Sequence, residues 1–119
     1  MKVIYIEDNA FNFRLVKRML RSYDITGSAT GAEGLQMVID NIPDVLLLDI
    51  NLPDMDGFEV LKHIRANAET QDIPVIAVTA NAMHGDRENI LASGFDGYIA
   101  KPLTRLELEN TIARVLASV

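Results

Sequence analysis

The sequence contains no cysteine, which excludes disulfide bonds, thiol nucleophiles and thiolate metal ligands. It is also poor in positive charge, with 11 lysine and arginine residues against 17 aspartate and glutamate residues and a formal net charge of -6. A negatively charged chain repels phosphate groups. The composition therefore disfavours nucleic acid and anionic membranes as general partners.

Long hydrophobic runs are missing as well. The first apolar stretch, residues 3–6, is followed at once by Glu7 and Asp8, whereas a signal peptide or a membrane-spanning helix needs a longer apolar segment. We therefore expect a cytoplasmic protein. The 119 residues, 49% of them hydrophobic, fit one domain over residues 1–119, with no output domain expected after its last helix.

Short apolar runs alternate with segments of helical periodicity along the whole chain. Strands are predicted at 3–6, 25–29, 45–49, 74–79 and 98–100, and helices around 15–20, over 31–42, after Gly57, over 83–93 and after Thr104. Pro43 and Gly94 are helix stop signals, and Thr104 with Glu107 predicts a capping box. Strict strand–helix alternation predicts an α/β fold, with a parallel sheet covered by helices on both faces.

Polar residues lie at the ends of four of these five strands. Glu7 and Asp8 follow the first strand, Asp49 ends the third, Thr79 ends the fourth and Lys101 follows the fifth. The carboxyl ends of parallel strands meet at one edge of a sheet, where ligands bind. Any one of these residues could be a solvated loop side chain, but five from four strands together indicate one functional crevice.

The polar residues belong to four motifs, at residues 5–9 (YIEDN), 48–57 (LDINLPDMDG), 79–83 (TANAM) and 98–102 (YIAKP). With these motifs the whole chain resembles the receiver domain of two-component response regulators. It is most similar to single-domain cell-cycle regulators and to the receivers of hybrid histidine kinases. The resemblance implies a flavodoxin-like (βα)5 three-layer sandwich with the strand order 2-1-3-4-5.

The resemblance implies that Asp49 accepts a phosphoryl group and becomes a 4-aspartylphosphate. A carboxylate is a weak nucleophile, so the rate must come from positioning and charge neutralisation. Lys101 would hold the phosphoryl oxygens, and a cis peptide bond between Lys101 and Pro102 would aim its side chain into the site. The hydroxyl of Thr79 would bind the phosphoryl group. The chain is then no ordinary enzyme but a phosphoacceptor that promotes its own phosphotransfer and dephosphorylation.

A divalent metal site is expected beside Asp49. Three neighbouring carboxylates repel one another, and a hard cation such as Mg²⁺, with Mn²⁺ as a substitute, relieves that repulsion. Asp8 and Asp49 would be direct ligands, and Glu7 would bind directly or through water. The resemblance adds the backbone carbonyl of Asn51. The bland interpretation of Glu7 and Asp8, an acidic helix cap, does not account for Asp49 on another strand.

The resemblance also implies a switch and a timer. Tyr98 would turn inward when Thr79 moves, which would change a surface made of the fourth helix, the fifth strand and the fifth helix and so alter the binding of a downstream protein. Asn51 and Asn81 lie two residues after Asp49 and Thr79, at positions that tune the lifetime of the phosphoryl group in this family.

A basic face is predicted on the first helix, where cationic residues recur at helical spacing. These residues are Arg14, Lys17, Arg18 and Arg21. The face is either simply solvated or, together with Phe11, a docking surface for the phosphodonor. The implied donor is a histidine kinase or a histidine phosphotransfer protein, and the chain itself would be a monomer or a weak dimer.

Several alternatives compete with a stand-alone receiver. The chain could be a receiver excised from a hybrid histidine kinase, or a degenerate receiver that works unphosphorylated, although all five residue types are retained. An aspartate-based phosphatase needs a second aspartate two residues after the first, where this chain has Asn51. A flavodoxin-like cofactor binder needs a loop rich in glycine, serine or threonine after the first strand, and Glu7 and Asp8 would repel its phosphate.

Overall fold

A computed structural model describes residues 1–80 and 86–117 of the protein. The five strands are β1 (Lys2–Ile6), β2 (Asp24–Ser28), β3 (Val45–Asp49), β4 (Val75–Thr79) and β5 (Gly97–Ala100). The five helices are α1 (Ala10–Met19), α2 (Gly31–Asp40), α3 (Gly57–Ala66), α4 (Asp86–Ala92) and α5 (Arg105–Ala117). Strands and helices alternate strictly, as predicted.

The strands form one parallel sheet in the order β2-β1-β3-β4-β5, which confirms the flavodoxin-like prediction. The three inner strands β1, β3 and β4 read as nearly continuous apolar runs, and β3 and β4 are buried along their whole length. Strands of this kind are expected where helices cover both faces of a parallel sheet. The edge of the sheet where the sequence predicts a functional site is therefore formed by the ends of buried strands.

The core consists of two apolar layers, one on each face of the sheet. Alternation along β1 shows the division, because Val3 and Tyr5 belong to one cluster and Ile4 and Ile6 to the other. The first cluster includes residues of α1 and α5, and the second includes residues of α2, α3 and α4. The sheet with a helical layer on each side is the three-layer sandwich that was expected.

Helix boundaries differ from the sequence prediction at several points. Helix α2 ends at Asp40 and leaves Ile42 44% exposed, because the residue before a proline disfavours helical geometry. Two large apolar residues of the helices, Phe58 of α3 and Leu106 of α5, are 36% and 70% exposed. The start predicted for the fourth helix, residues 83–85, lies outside the described residues.

The predicted caps are present where the structure describes them. Gly94 follows α4 with a φ of 110°, the left-handed conformation that glycine adopts without strain. The Thr104 hydroxyl oxygen accepts a hydrogen bond from the amide of Glu107 at 3.3 Å, which caps α5. Among the described helices, none combines the length and apolar character needed to cross a bilayer.

Candidate functional site

The carboxyl edge of the sheet gathers side chains from four strands. Glu7 follows β1, Asp49 and Thr79 are the last residues of β3 and β4, and Lys101 follows β5. Glu7, Asp49 and Thr79 are only 2–3% exposed, whereas Asp8 is exposed. Charged groups are seldom buried without partners, so the contacts of Glu7 and Asp49 define the chemistry of this edge.

Three carboxylates converge at this edge. One oxygen atom from each of Glu7, Asp8 and Asp49 lies within 4.8 Å of the other two. A set of carboxylate oxygens that is open to water on the Asp8 side matches the ligands that Mg²⁺ takes in proteins. The residues present therefore fit a hard divalent cation.

Lys101 forms ion pairs with two of the three carboxylates. Its Nζ atom lies 2.8 Å from Glu7 Oε1 and 3.1 Å from Asp49 Oδ2, and the Lys101–Pro102 peptide bond is cis, as expected. Burial alone would lower the pKa of Lys101, but contact with Glu7 and Asp49 outweighs burial and raises that pKa. The ammonium group therefore stays charged beside Asp49.

Glu7 and Asp49 respond differently to the same buried surroundings. Burial alone would raise the pKa of Glu7, but hydrogen bonds from Asp49, Lys101 and Tyr5 lower it to about 2. Burial and the shared hydrogen bond with Glu7 raise the pKa of Asp49 to about 6, although the Asn51 amide and Lys101 act to lower it. Without a metal, Asp49 is the carboxylate that takes up a proton most readily.

The loop after β3 folds back on Asp49. The Asn51 amide donates to Asp49 Oδ1 at 3.0 Å, and Asn51 and Asp56 form an isolated antiparallel bridge. The Gly57 amide donates to the Ile50 carbonyl at 2.8 Å, and a Cβ atom at Gly57 would lie 2.8 Å from Ile50 Cα. Only glycine allows this close approach. A metal-binding role for the Asn51 carbonyl stays a prediction.

The proposed switch residues lie one and two strands away from Asp49. Thr79 is buried and pairs in register with Ala100, and Tyr98 is half-buried and packs on the core layer that contains α3. Ala80, next to Thr79, is exposed. Asn81, predicted to tune the phosphoryl lifetime, lies outside the described residues.

The basic face of α1 is exposed, as the sequence predicts, but α1 ends at Met19 and Arg21 lies beyond the helix. Phe11 is 64% exposed, and Arg14, Lys17 and Arg18 are exposed as well. A groove of about 210 Å³ runs between Phe11, Arg14, Leu15 and Arg18. Leu15 is half-buried and lines this groove.

A second cavity joins the basic face to the acidic site. It measures about 290 Å³, and its walls include Glu7, Asp8, Phe13 and Arg14. Arg14 therefore lines both this cavity and the groove on α1.

Sequence reasoning missed one residue of the site. Tyr5 is completely buried, and its hydroxyl donates to Glu7 Oε1 at 2.8 Å. The signal was available, because residues two apart on a strand point to the same face. A tyrosine two positions before a buried glutamate can reach it, but an apolar strand pattern alone does not distinguish tyrosine from any other core residue.

Comparison with known proteins identifies the class. The family model of the response regulator receiver domain matches residues 3–113, and the chain belongs to this family. The curated relatives include the polar-differentiation response regulator DivK of Brucella ovis, which is 38% identical over 116 residues that cover 96% of this chain and 94% of DivK.

Solved structures agree in fold and length. The receiver domain of a sensor histidine kinase from Pseudomonas aeruginosa PAO1, with a magnesium ion coordinated in its active site cleft, is 38% identical. It superimposes with a TM-score of 0.87 over 97% of this chain and 96% of its own. The chemotaxis response regulator CheY4 of Vibrio cholerae is 28% identical, with a TM-score of 0.88 over 96% and 97% of the two chains.

Proposed function

We propose that this receiver domain is a phosphorylation switch that accepts a phosphoryl group on Asp49 from a phosphohistidine donor and thereby changes its protein partners. The observation that carries the proposal is the convergence of Glu7, Asp8 and Asp49 with Lys101, whose Nζ atom lies 3.1 Å from Asp49 Oδ2. Carboxylates and an ammonium group in a buried crevice suit phosphoryl transfer, which depends on positioning and charge neutralisation.

Each residue of the site has a distinct task in this reaction. An ionised oxygen of Asp49 attacks phosphorus, the bond from phosphorus to the donor's imidazole nitrogen breaks, and that nitrogen keeps the electron pair. The Asn51 amide fixes the other Asp49 oxygen at 3.0 Å. Lys101, already within reach of Asp49, binds an oxygen of the transferred group. The domain is therefore a phosphoacceptor that promotes its own modification.

Glu7, Asp8 and Asp49 would hold Mg²⁺, together with the backbone carbonyl of Asn51. The bound ion neutralises charge on the phosphoryl oxygens. The magnesium ion in the cleft of the Pseudomonas aeruginosa receiver supports this assignment, and Mn²⁺ has the same preference for oxygen ligands.

The response would reach the surface through Thr79 and Tyr98. The Thr79 hydroxyl would bind the phosphoryl group, and Tyr98 would follow it inward. A cavity of about 530 Å³ lies between α4, β5 and α5, and Tyr98, Leu106 and Arg114 are among its walls. A movement of Tyr98 would change the shape of this cavity. The 70% exposed Leu106 gives this face an apolar contact for a downstream protein.

The donor would dock on α1. The exposed Phe11 supplies an apolar contact, and Arg14, Lys17 and Arg18 attract an acidic partner to an otherwise negative protein. The cavity that Arg14 shares with Glu7 and Asp8 brings such a partner to the acceptor. A histidine kinase or a histidine phosphotransfer protein in the cytoplasm fits this surface. Identity of 38% both to DivK and to the receiver of a sensor histidine kinase supports a stand-alone and a kinase-linked origin equally.

Incubation with acetyl phosphate and Mg²⁺, followed by intact mass measurement, tests the central proposal. The wild type is expected to gain the mass of one phosphoryl group, which Asp49→Asn should not gain because its amide is not a nucleophile. Asp24→Asn, an exposed aspartate at the start of β2, is the matched control and should behave like the wild type. A mass gain in Asp49→Asn, or none in the wild type, would refute the assignment.

Charge reversal tests the docking surface. Arg14→Glu with Arg18→Glu should slow transfer from a phosphorylated histidine protein by roughly tenfold or more at low salt, because steering acts on the association rate. Phosphorylation by acetyl phosphate should be unchanged. Equal losses with both donors would show that the substitutions damage the site and not the docking step.

A lifetime role is proposed for Asn51 and Asn81, which flank the site in sequence. We expect Asn81→Ala to change the half-life of the phosphorylated domain, measured by loss of the added mass over time. An unchanged half-life would remove Asn81 from the proposal.

A further inference from the structure

Tyr5 connects the acidic site to the core. Its ring is fully buried and stacks on Phe13, with the ring centroids 6.0 Å apart and the planes at 20°. The ring thus has little freedom, and its hydroxyl is held 2.8 Å from Glu7 Oε1. Buried tyrosine hydroxyls usually find such a partner, but here the partner is a carboxylate of the proposed metal site.

Glu7 receives hydrogen bonds on both of its carboxylate oxygens. Oε1 accepts from the Tyr5 hydroxyl and from Lys101 Nζ, both at 2.8 Å, and Oε2 accepts from the Asn9 amide at 3.3 Å. Since Glu7 is 3% exposed, these donors take the place of water around its charge.

Lys101 divides its ammonium group between Glu7 and Asp49, at 2.8 Å and 3.1 Å. A phosphoryl group on Asp49 brings new anionic oxygens next to this ammonium group, which draws Lys101 away from Glu7. When Lys101 turns, Oε1 keeps the Tyr5 hydroxyl as a donor, and that hydroxyl is fixed by the core and not by the site.

We propose that Tyr5 is a positioning residue of the phosphoacceptor site, whose hydroxyl holds Glu7 Oε1 in place while Lys101 moves to the phosphoryl group. The inference rests on the proposed function and extends it to a core residue. Phenylalanine at position 5 would preserve the stacking on Phe13 but remove the Oε1 donor that is anchored in the core. The hydroxyl therefore positions Glu7, whereas the ring contributes to the packing of the core.

A double-mutant cycle separates these two effects. Calorimetry would give the Mg²⁺ dissociation constant of the wild type, Tyr5→Phe, Glu7→Gln and the double variant, without any phosphodonor. Tyr5→Phe should weaken Mg²⁺ binding about tenfold, the scale of one hydrogen bond to a charged group. In the Glu7→Gln background, the same change should alter the constant by less than about twofold, because Tyr5 acts through Glu7.

Tyr23→Phe is the matched control, since Tyr23 packs against the same core cluster, and it should leave Mg²⁺ binding unchanged. An unchanged dissociation constant in Tyr5→Phe, or equal effects in both Glu7 backgrounds, would overturn the proposal. Absence of phosphoryl gain in the wild type would instead refute the proposed function, whereas the Mg²⁺ cycle would still report on Tyr5.

A second measurement does not depend on any variant folding. The hydroxyl proton of Tyr5 should exchange slowly with water in an NMR spectrum of the wild type. It should stay protected after Mg²⁺ and acetyl phosphate are added, because the bond to Glu7 persists. Loss of that protection on phosphorylation would show that Tyr5 does not hold Glu7 in the modified state.

Discussion

Asp49 and Glu7 are neighbouring buried carboxylates whose pKa values the site shifts in opposite directions. The pKa of Asp49 is raised to about 6 and the pKa of Glu7 is lowered to about 2. Hydrogen-bond donors on both oxygens of Glu7 keep it ionised. Burial and the negative charge of Glu7 raise the pKa of Asp49. Because a nucleophilic carboxylate must be ionised, the role proposed for Asp49 requires a cation beside it.

The raised pKa of Asp49 makes the stability of the metal-free protein dependent on pH. The folded state holds a proton on Asp49 up to about pH 6, whereas the unfolded chain releases it near its ordinary pKa of 3.8. Stability from this group is therefore lost as pH rises through that window. Glu7 acts in the opposite sense: its contribution is present above 4.5 and is lost as pH falls towards 2.

We expect Asp49→Asn to raise the free energy of unfolding of the metal-free protein by about 1–3 kcal/mol near pH 7.5, because it removes a buried charge. The gain should shrink towards zero near pH 4, where Asp49 is protonated in the folded wild type. Urea unfolding at both pH values measures this, and saturating Mg²⁺ should cancel the advantage of the variant. A gain that is independent of pH would contradict the assigned pKa.

Hydrogen bonds connect the start of α2 to the loop that follows β3. The amides of Gly31 and Ala32 donate to the two carboxylate oxygens of Asp54 at 2.8 Å and 2.9 Å. The Glu33 amide donates to Thr30 Oγ1 and the Thr30 amide donates to Ser28 Oγ, both at 3.3 Å. All four amides that a helix leaves unpaired at its start are thus satisfied. The bonds from Gly31 and Ala32 lower the pKa of Asp54.

Asp54→Ala should destabilise the protein and loosen both the start of α2 and the loop carrying Asn51. We expect faster hydrogen exchange at the amides of Gly31 and Ala32, together with a lower urea midpoint. Asp54→Asn, which keeps one acceptor oxygen, should give an intermediate result. Asp72→Ala, at an exposed aspartate in the loop after α3, is the control. Unaltered exchange at Gly31 and Ala32 would show that Asp54 is not the cap.

Asp54 also shows where sequence prediction stopped. The strands, their order and the placement of Glu7, Asp49 and Lys101 followed from apolar runs and from family motifs, which are local signals. Asp54 looked like a turn former, because the amides it binds lie 22 and 23 residues earlier in the chain. The exposure of Leu106 likewise depends on packing between elements, which no local pattern contains.

The two edges of the sheet have separate roles in the whole molecule. At the edge opposite Asp49, Arg65 at the end of α3 donates to the carbonyls of Gln71, Ile73 and Gly94 and to Asp96 Oδ2. Asp96 Oδ2 also accepts the amide of Val75, the first residue of β4. This cluster of hydrogen bonds joins the loops before β4 and β5, at the ends of the strands opposite Asp49.

Arg65→Lys should lower the free energy of unfolding by about 1–3 kcal/mol, because an ammonium group cannot reproduce the planar set of donors. The rate of phosphorylation by acetyl phosphate should not change. Urea unfolding and the mass assay measure the two quantities, and Arg21→Lys, on the exposed surface, is the control. A parallel fall in phosphorylation would show that the two edges are coupled.

The register of the sheet sets the distance between Asp49 and the proposed switch residue Tyr98. Asp49 pairs with Val78, and Val78 pairs with Ile99, so fifty positions of chain are spanned by two steps between strands, about 10 Å in all. Tyr98 and Ile99 point to opposite faces, so a slip of one residue between β4 and β5 would exchange them. Loops around the sheet can change in length without altering this span. The distance between Asp49 and the strand that carries the proposed switch residue Tyr98 is thus fixed by the backbone hydrogen bonds of the sheet and not by the loops.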